Sequence, residues 1–381
     1  MQYPARLPLP ALCVASALLA ASVGASYAYV DLSLNRMGAT AAAIGLNGAM
    51  PALGWLLATP LMPWALRRFP PRAVLLLLGV AALAVCLFPL TDHQGAWLAL
   101  RFLFGGGCGM VFRLVEYWIS AGSDSRHRAR NVGIYSVCFC CGAAVGAGVL
   151  PLVGLAGWPP VLFMLALASA GFAVFAALRS GPPAVERAPA MPLRALAGLG
   201  MVAMAGALLF GMFEAVPYTL MPVHAVRAGL AETEAAWLAS AFLLGQVLLL
   251  VPLGLAADRL GKRRVLALCA AGALALAVLV PAAGTDFVLL AAMMLAWGGV
   301  AGTLYVVSLA LLADLFSGPE LAAGNATFGT LYALGALLGP LAHGLAMDAW
   351  PPDGLFISAA LLLAAFCAIL LPWRGLGGVR A

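Results

Sequence analysis

Four ionisable residues stand where the sequence is otherwise apolar: Arg101, Arg113 and Glu116 in one run, and Glu214 in another. A charge in lipid costs at least about 2.5–3.5 kcal/mol on insertion scales, so each of these needs a reason. A buried carboxylate can bind and release a proton, and a nearby guanidinium governs how readily it does so. Glu116 is a candidate of this kind, or a carboxylate that orients a solute. Arg113 and Glu116 are three residues apart, share one helix face and can pair, so a structural ion pair is the competing reading. Arg101 and Glu214 carry the same two readings. Glu214 stands three residues before Pro217, which removes a backbone donor and loosens a helix there. Asp31 and Asp314 fall near helix ends and read as solvated or capping groups. Tyr27, Tyr29, Tyr218 and Tyr305 offer hydroxyls to a ligand, although an interfacial aromatic belt explains the first three equally well.

Soft metal ligands also occur. His343 and Met347 are one helical turn apart, Cys138, Cys140 and Cys141 cluster, and Met201 and Met204 lie close together. Such groups suit Cu(I). Cysteine and methionine are equally ordinary packing residues in an apolar phase, so no metal site is assigned and His343 and Met347 stay weak candidates. The chain has no P-loop and no converging Ser/His/Asp set, so neither an enzyme nor a cofactor is expected.

The elements that must position these groups follow from composition. The chain has 381 residues, 64% hydrophobic and 9% charged, with a mean hydropathy of +1.05. Soluble domains carry roughly 25% charged residues, so the solvent for this chain is lipid. Apolar runs predict helices at 9–30, 43–66, 72–90, 96–120, 131–151 and 159–178, then 195–222, 235–256, 264–283, 286–313, 323–346 and 355–372. The first run reads as a retained helix rather than a cleaved signal peptide. A Pro-rich, charged linker at 179–194 separates an N-terminal six-helix bundle, 1–178, from a C-terminal one, 195–381.

Basic residues sit in alternate loops. With both termini inside, the inner loops and tails hold 16 of the 20 Lys and Arg residues and the outer loops only Arg36 and Arg227. This positive-inside pattern predicts a multi-pass protein of the inner (plasma) membrane with both termini cytoplasmic, and it removes nucleic acid as a partner. The eight cysteines all fall in apolar stretches, so no disulfide is expected. An internal repeat joins the halves. Arg36-Met-Gly38 recurs as Arg227-Ala-Gly229, and the same offset of 191 carries Arg68 onto Arg259 and Val74 onto Val265. Gly142-x-x-x-Gly146 recurs as Gly335-x-x-x-Gly339 at an offset of 193. Parallel repeats of this kind enclose a site at their interface near the bilayer midplane.

One loop motif is sharper than the rest: Gly254-Leu-Ala-Ala-Asp258-Arg259-Leu-Gly261-Lys262-Arg263-Arg264. Its glycines permit helix ends to approach, its Asp can meet the positive end of a neighbouring helix, and its basic cluster faces the cytoplasm. This motif resembles the signature of the major facilitator superfamily, where such a loop acts as a conformational latch. The counterpart in the first half is degenerate, with Pro63, Arg67 and Pro70 in place of Gly, Asp and Gly. Arg101-Phe-Leu-Phe-Gly105 resembles the family's intramembrane Arg followed by Gly, and Gly335-Ala-Leu-Leu-Gly339-Pro340 its Gly-x-x-x-Gly-Pro packing element. The run from Trp97 through Glu116, with Ser125-Arg-His-Arg-Ala-Arg130 and Tyr135, is similar to the YcaD-type branch, as are Leu220-Met-Pro222, Leu304-Tyr305 and Gly339-Pro340.

The resemblance implies an all-α membrane protein of twelve transmembrane helices in two pseudo-symmetric six-helix bundles. It places the first, fourth, seventh and tenth helices around a central cavity, so that Glu214 faces the cavity and exchanges protons with Arg101 near enough to tune it. The expected function is secondary active transport of a small solute by alternating access, proton-coupled, with an amphipathic compound and efflux favoured. The partners are then the solute, protons and the lipid bilayer, and the working unit a monomer. A soft-metal importer and a non-transporting membrane sensor or assembly factor are the rival classes.

Overall fold

The computed structural model describes residues 7–124, 127–178 and 199–370. The expected linker at 179–194 and the basic residues Arg6, Arg126, Arg179, Arg187, Arg194, Arg374 and Arg380 lie outside them. The described residues form helices α1 (Leu9–Arg36), α2 (Ala41–Ala58), α3 (Met62–Arg68), α4 (Pro71–Ala82), α5 (Gln94–Ala121), α6 (Arg128–Val153) and α7 (Trp158–Ala177). The second group is α8 (Leu199–Glu214), α9 (Val216–Arg227), α10 (Glu232–Leu260), α11 (Lys262–Leu279), α12 (Phe287–Leu315), α13 (Gly318–Ala349) and α14 (Gly354–Leu370). Short 3₁₀ turns join α2 to α3 and extend α4 and α11. Eleven helices are long and apolar enough to cross a membrane, and α14 is a shorter apolar helix that reaches the last described residue.

Every span except α14 approaches or exceeds the ~20 residues that a hydrocarbon core requires. In lipid all backbone groups must be satisfied within the segment, which is why so apolar a chain resolves into helices. Turn chemistry sets where the spans stop. Gly38 and Gly229, 191 residues apart, both adopt positive φ, 76° and 110°, just past the ends of α1 and α9. The hydrogen bonds around them match as well: Ala39 N–H to the Leu34 carbonyl, and Leu230 N–H to the Ala225 carbonyl. Glycine tolerates this left-handed backbone and so caps the helix. The seventh span therefore ends at Arg227 and not at 222. Pro222 lies inside α9 and does not end it.

Small residues fix the packing within each half. A side chain at Gly142 or Gly146 of α6 would collide with the backbone of Ala17 or Ala21 of α1. At the repeat-related positions of α13, Gly335 and Gly339 abut the backbone of Leu208 and Met212 on α8. Without a hydrophobic force between helices in lipid, backbone approach of this kind supplies the dispersion contact that holds them together. The seam between halves uses the same device. Gly45 of α2 lies against the Pro340 carbonyl of α13, and Gly344 of α13 lies against Ala41 of α2. α13 continues as a helix through Pro340.

Candidate transport pathway

At one end of the bundle, polar contacts join the first six spans to the last six. Arg36 at the end of α1 pairs with Glu232 at the start of α10, 2.7 Å apart, and donates to the Leu155 carbonyl. Arg227, its repeat partner at the end of α9, donates to Asn35 Oδ1 and to the Ala39 carbonyl, both at 2.9 Å. Asp348 near the end of α13 accepts the N–H groups of Ala41 and Ala42, at 2.9 and 2.8 Å. Trp237 of α10 donates to the Gly148 carbonyl of α6 at 3.1 Å.

Deeper in, about 8–14 Å from that end at 1.5 Å per residue, lies a buried layer. Tyr27 of α1 and Tyr218 of α9 meet across the halves with ring centroids 4.6 Å apart. Arg101 of α5 is 1% exposed, sits 4.4 Å from the Tyr27 ring centre and donates to the Ser26 carbonyl at 3.0 Å. Its Nε and second terminal nitrogen have no hydrogen-bond partner, and neither do the carboxylate oxygens of Asp31 or the side-chain amide of Asn47. The expectation for Asp31 is therefore corrected. It is fully buried rather than solvated or capping, because α1 runs on to Arg36 and not to 30.

The helix breaks at Ala215 between α8 and α9, where Pro217 leaves the carbonyl four residues back without its usual donor. Glu214 stands at this break, about 20 Å from the joined end and thus near the middle of the span Gly200–Arg227. Tyr332 of α13 donates its hydroxyl to the Glu214 carboxylate. Around the pair is an aromatic wall. Tyr332 faces Trp55 of α2 at 5.8 Å, Phe210 at 6.0 Å and Tyr305 at 5.6 Å, and Tyr305 packs on Phe210 and Phe328. The Trp55–Tyr332 contact again crosses the halves.

Arg113 stacks over Trp55 at 4.3 Å. Its expected ion pair with Glu116 is not formed among the described residues; instead the Trp55 ring holds the guanidinium, while Glu116 is exposed one turn nearer the opposite end. Positions three apart share a face and can pair, but here the guanidinium lies over a ring that another helix supplies. The structure thus brings Arg113, Glu214 and Tyr305 to one aromatic cluster around Trp55 and Tyr332, and places Tyr27, Tyr218 and Arg101 in the layer nearer the joined end.

The loop motif lies at the far end. Gly261 has φ of 92° between α10 and α11, a turn that favours glycine. A side chain at Gly254 would meet nothing, so close helix approach does not explain that glycine. Asp258, Arg259 and Arg264 are exposed. Lys262 of the motif pairs with Asp314 at the end of α12, 2.6 Å apart. His343 is fully buried, its Nδ1 2.7 Å from Ser358 Oγ, and Met347 is buried beside it in sequence. Among the described residues no three His, Cys, Asp or Glu groups gather as a metal site would need. The eight cysteines are free.

Among the described residues, eleven membrane-length apolar helices and the shorter α14, with charged and aromatic side chains meeting at mid-span, are the architecture of a polytopic membrane transporter. The chain belongs to the Major Facilitator Superfamily, whose family model matches residues 12–231 and 203–377. Relatives include a transporter of this type from Bacillus subtilis, YfkF, named as uncharacterised, 28% identical over 351 residues and covering 88% of each chain. Another uncharacterised one, from Yersinia enterocolitica, is 27% identical over 304 residues, covering 76% of this chain and 75% of that one. Among solved structures the fold is similar to a D-xylose–proton symporter (TM-score 0.78, 13% identity, 96% of each chain). It is also similar to the nucleoside transporter NupG (TM-score 0.74, 14% identity, 95% of this chain and 96% of that one). The protein is a multi-pass membrane transporter and not an enzyme.

Sequence reasoning missed Trp55 and Tyr332 and misjudged the burial of Asp31. A usable signal existed for Asp31, since its α1 neighbours on both sides are apolar and no helix stop precedes Arg36.

Proposed function

We propose that this chain is a proton-coupled secondary transporter that moves a small amphipathic solute across the plasma membrane, working as a monomer with both termini cytoplasmic. The bundles 1–178 and 195–381, joined by the linker 179–194, rock about a solute chamber at the aromatic cluster of Trp55, Tyr305 and Tyr332. The observation that carries the reading is Glu214 at the break between α8 and α9, hydrogen-bonded by Tyr332 inside the aromatic wall that spans both halves. A carboxylate at mid-depth is costly unless it can be neutralised, and a helix break beside it lets its surroundings change between two packings. Water reaching it from one side at a time supplies and removes the proton. Asp31, fully buried on α1, is a second acid on the same route.

The aromatic wall fits the apolar body of a solute, and the facing charges of Arg113 and Glu116 fit its polar part. With the termini inside, the joined end is the outer one, and the arrangement described is closed outward. A solute for assay comes from an uptake screen of a deletion strain across metabolites and toxic compounds. In proteoliposomes, Glu214→Gln abolishes accumulation driven by a proton gradient and preserves solute exchange. Gradient-driven accumulation that survives in this variant refutes the assignment.

A further inference from the structure

The two helices that begin at the joined end after the repeated Arg-x-Gly turns differ in one respect. α10 starts with its own acids, Glu232 and Glu234, and the Glu234 carboxylate accepts the Ala231 N–H. α2 starts Ala41-Ala-Ala with no acid in its first turn. Ala41 occupies the position 191 residues before Glu232. The first N–H groups of any helix lack intrahelical partners and carry the positive end of the helix dipole. For α2, the anion that meets them comes from the other half of the protein: Asp348 takes the N–H groups of Ala41 and Ala42 together, one on each oxygen.

Asp348 is itself badly placed within its own helix. It is the second-last residue of α13, at the negative end of that dipole, and no basic residue shares its last turn. Arg227, 3.9 Å away, is its cationic neighbour, and Arg227 in turn holds Asn35 and Ala39 across the seam. An unfavourable carboxylate on one half, and on the other the two first-turn N–H groups that the α2 N-cap Thr40 leaves over when it takes the Ala43 N–H, are relieved by the same contact. Gly45 and Gly344 let α2 and α13 lie close enough for it to form.

We infer that Asp348 is an exchangeable helix cap, a positioning residue that latches the two halves at this end by capping α2 only while the end is closed. The inference rests on the rocking motion proposed above, yet it involves none of the proton-carrying groups. When the halves part, Asp348 and the α2 amides must each return to water, so the cap biases the protein toward the closed arrangement. Asp348→Ala removes both acceptors, and Asp348→Asn keeps the shape, one good acceptor and no charge.

Hydrogen exchange of the full chain in lipid nanodiscs, read by mass spectrometry, tests the latch. In Asp348→Ala the amides of Ala41 and Ala42 exchange faster. The decisive segments are those across the seam, residues 225–235 and the start of α10, which exchange about fivefold faster, the equilibrium equivalent of one lost cap. Asp348→Asn gives a smaller increase in the same segments. Glu234→Gln, which disturbs a cap within a single half, leaves α2 unchanged. If only Ala41 and Ala42 respond, Asp348 is a local cap and the latch is overturned. If exchange rises throughout, including 262–270 at the opposite end in both variants, a folding defect is the cause and the latch is likewise overturned. Exchange reports opening whether or not a proton moves, so its result is separable from that of Glu214→Gln.

Discussion

Tyr332 of α13 donates its hydroxyl to Glu214 at the end of α8, and the same phenolic ring meets Trp55 of α2 in the other half. One side chain therefore touches both the acid proposed to carry the proton and the surface along which the halves must separate. A change of packing at the seam reaches Glu214 through a single residue.

Removing that hydroxyl should matter more than its size suggests. A hydrogen bond to a charged group is worth roughly 1.5–3 kcal/mol. Tyr332→Phe keeps the ring contacts with Trp55, Phe210 and Tyr305, so folding is preserved, while Glu214 loses its donor. We expect proton-driven accumulation to fall about tenfold and solute exchange to stay within about twofold of the parent. Equal loss in both assays would place Tyr332 in solute binding instead.

Much of the fold is legible in the sequence because its causes are local. Apolar runs, the alternation of basic loops and the Arg-x-Gly turns each act within a few residues, and Gly142, Gly146, Gly335 and Gly339 announce close packing by their spacing alone. The site is less legible. Glu214 and Arg101 stand out as charges in apolar runs, but Trp55 and Tyr332 are ordinary aromatic residues until α2 and α13 are laid side by side. Asp348 looks like a loop acid because nothing local says that its partner is a helix start 306 residues away. The Arg113–Glu116 expectation failed because one-helix spacing says nothing of a ring offered by another helix.

Trp55 should act on Arg113 through its ring face. A cation over tryptophan is worth about 0.5–1 kcal/mol when exposed and about 2 or more when desolvated. Trp55→Leu should lower affinity for a neutral amphipathic dye such as N-phenyl-1-naphthylamine about three- to thirtyfold, measured by dye fluorescence in nanodiscs. Trp55→Phe, a weaker but still aromatic partner, should fall between. An unchanged affinity in the leucine variant would remove Trp55 and Arg113 from the solute chamber.

Two glycines of the family motifs should respond in opposite ways. At Gly339 a side chain would collide with the backbone of Met212, whereas at Gly254 it meets open space. Overpacking costs typically about 1–3 kcal/mol, so Gly339→Leu should lower the Tm of the detergent-solubilised protein by several degrees. Gly254→Ala replaces a helical glycine at a free position and should hold or slightly raise the Tm. A large loss in Gly254→Ala would mean that this position meets another element in a second arrangement of the halves.

Arg36 and Glu232 give a test of the joined end that does not involve Asp348. Both side chains are about one-third exposed, 34% and 32%, so the pair is partly screened and contributes only about 0.2–1 kcal/mol. Arg36→Glu replaces attraction by repulsion and also loses the bond to the Leu155 carbonyl, so closure of this end is weakened twice over. Transport should slow, since a carrier that closes its joined end poorly spends less time open to the other side. Adding Glu232→Arg restores the ion pair but not the Leu155 contact. The double variant should therefore recover part of the exchange rate, with a coupling of about 0.5–1 kcal/mol between the two sites. Strict additivity would show that the pair forms no part of the closed end's energetics, whatever its distance.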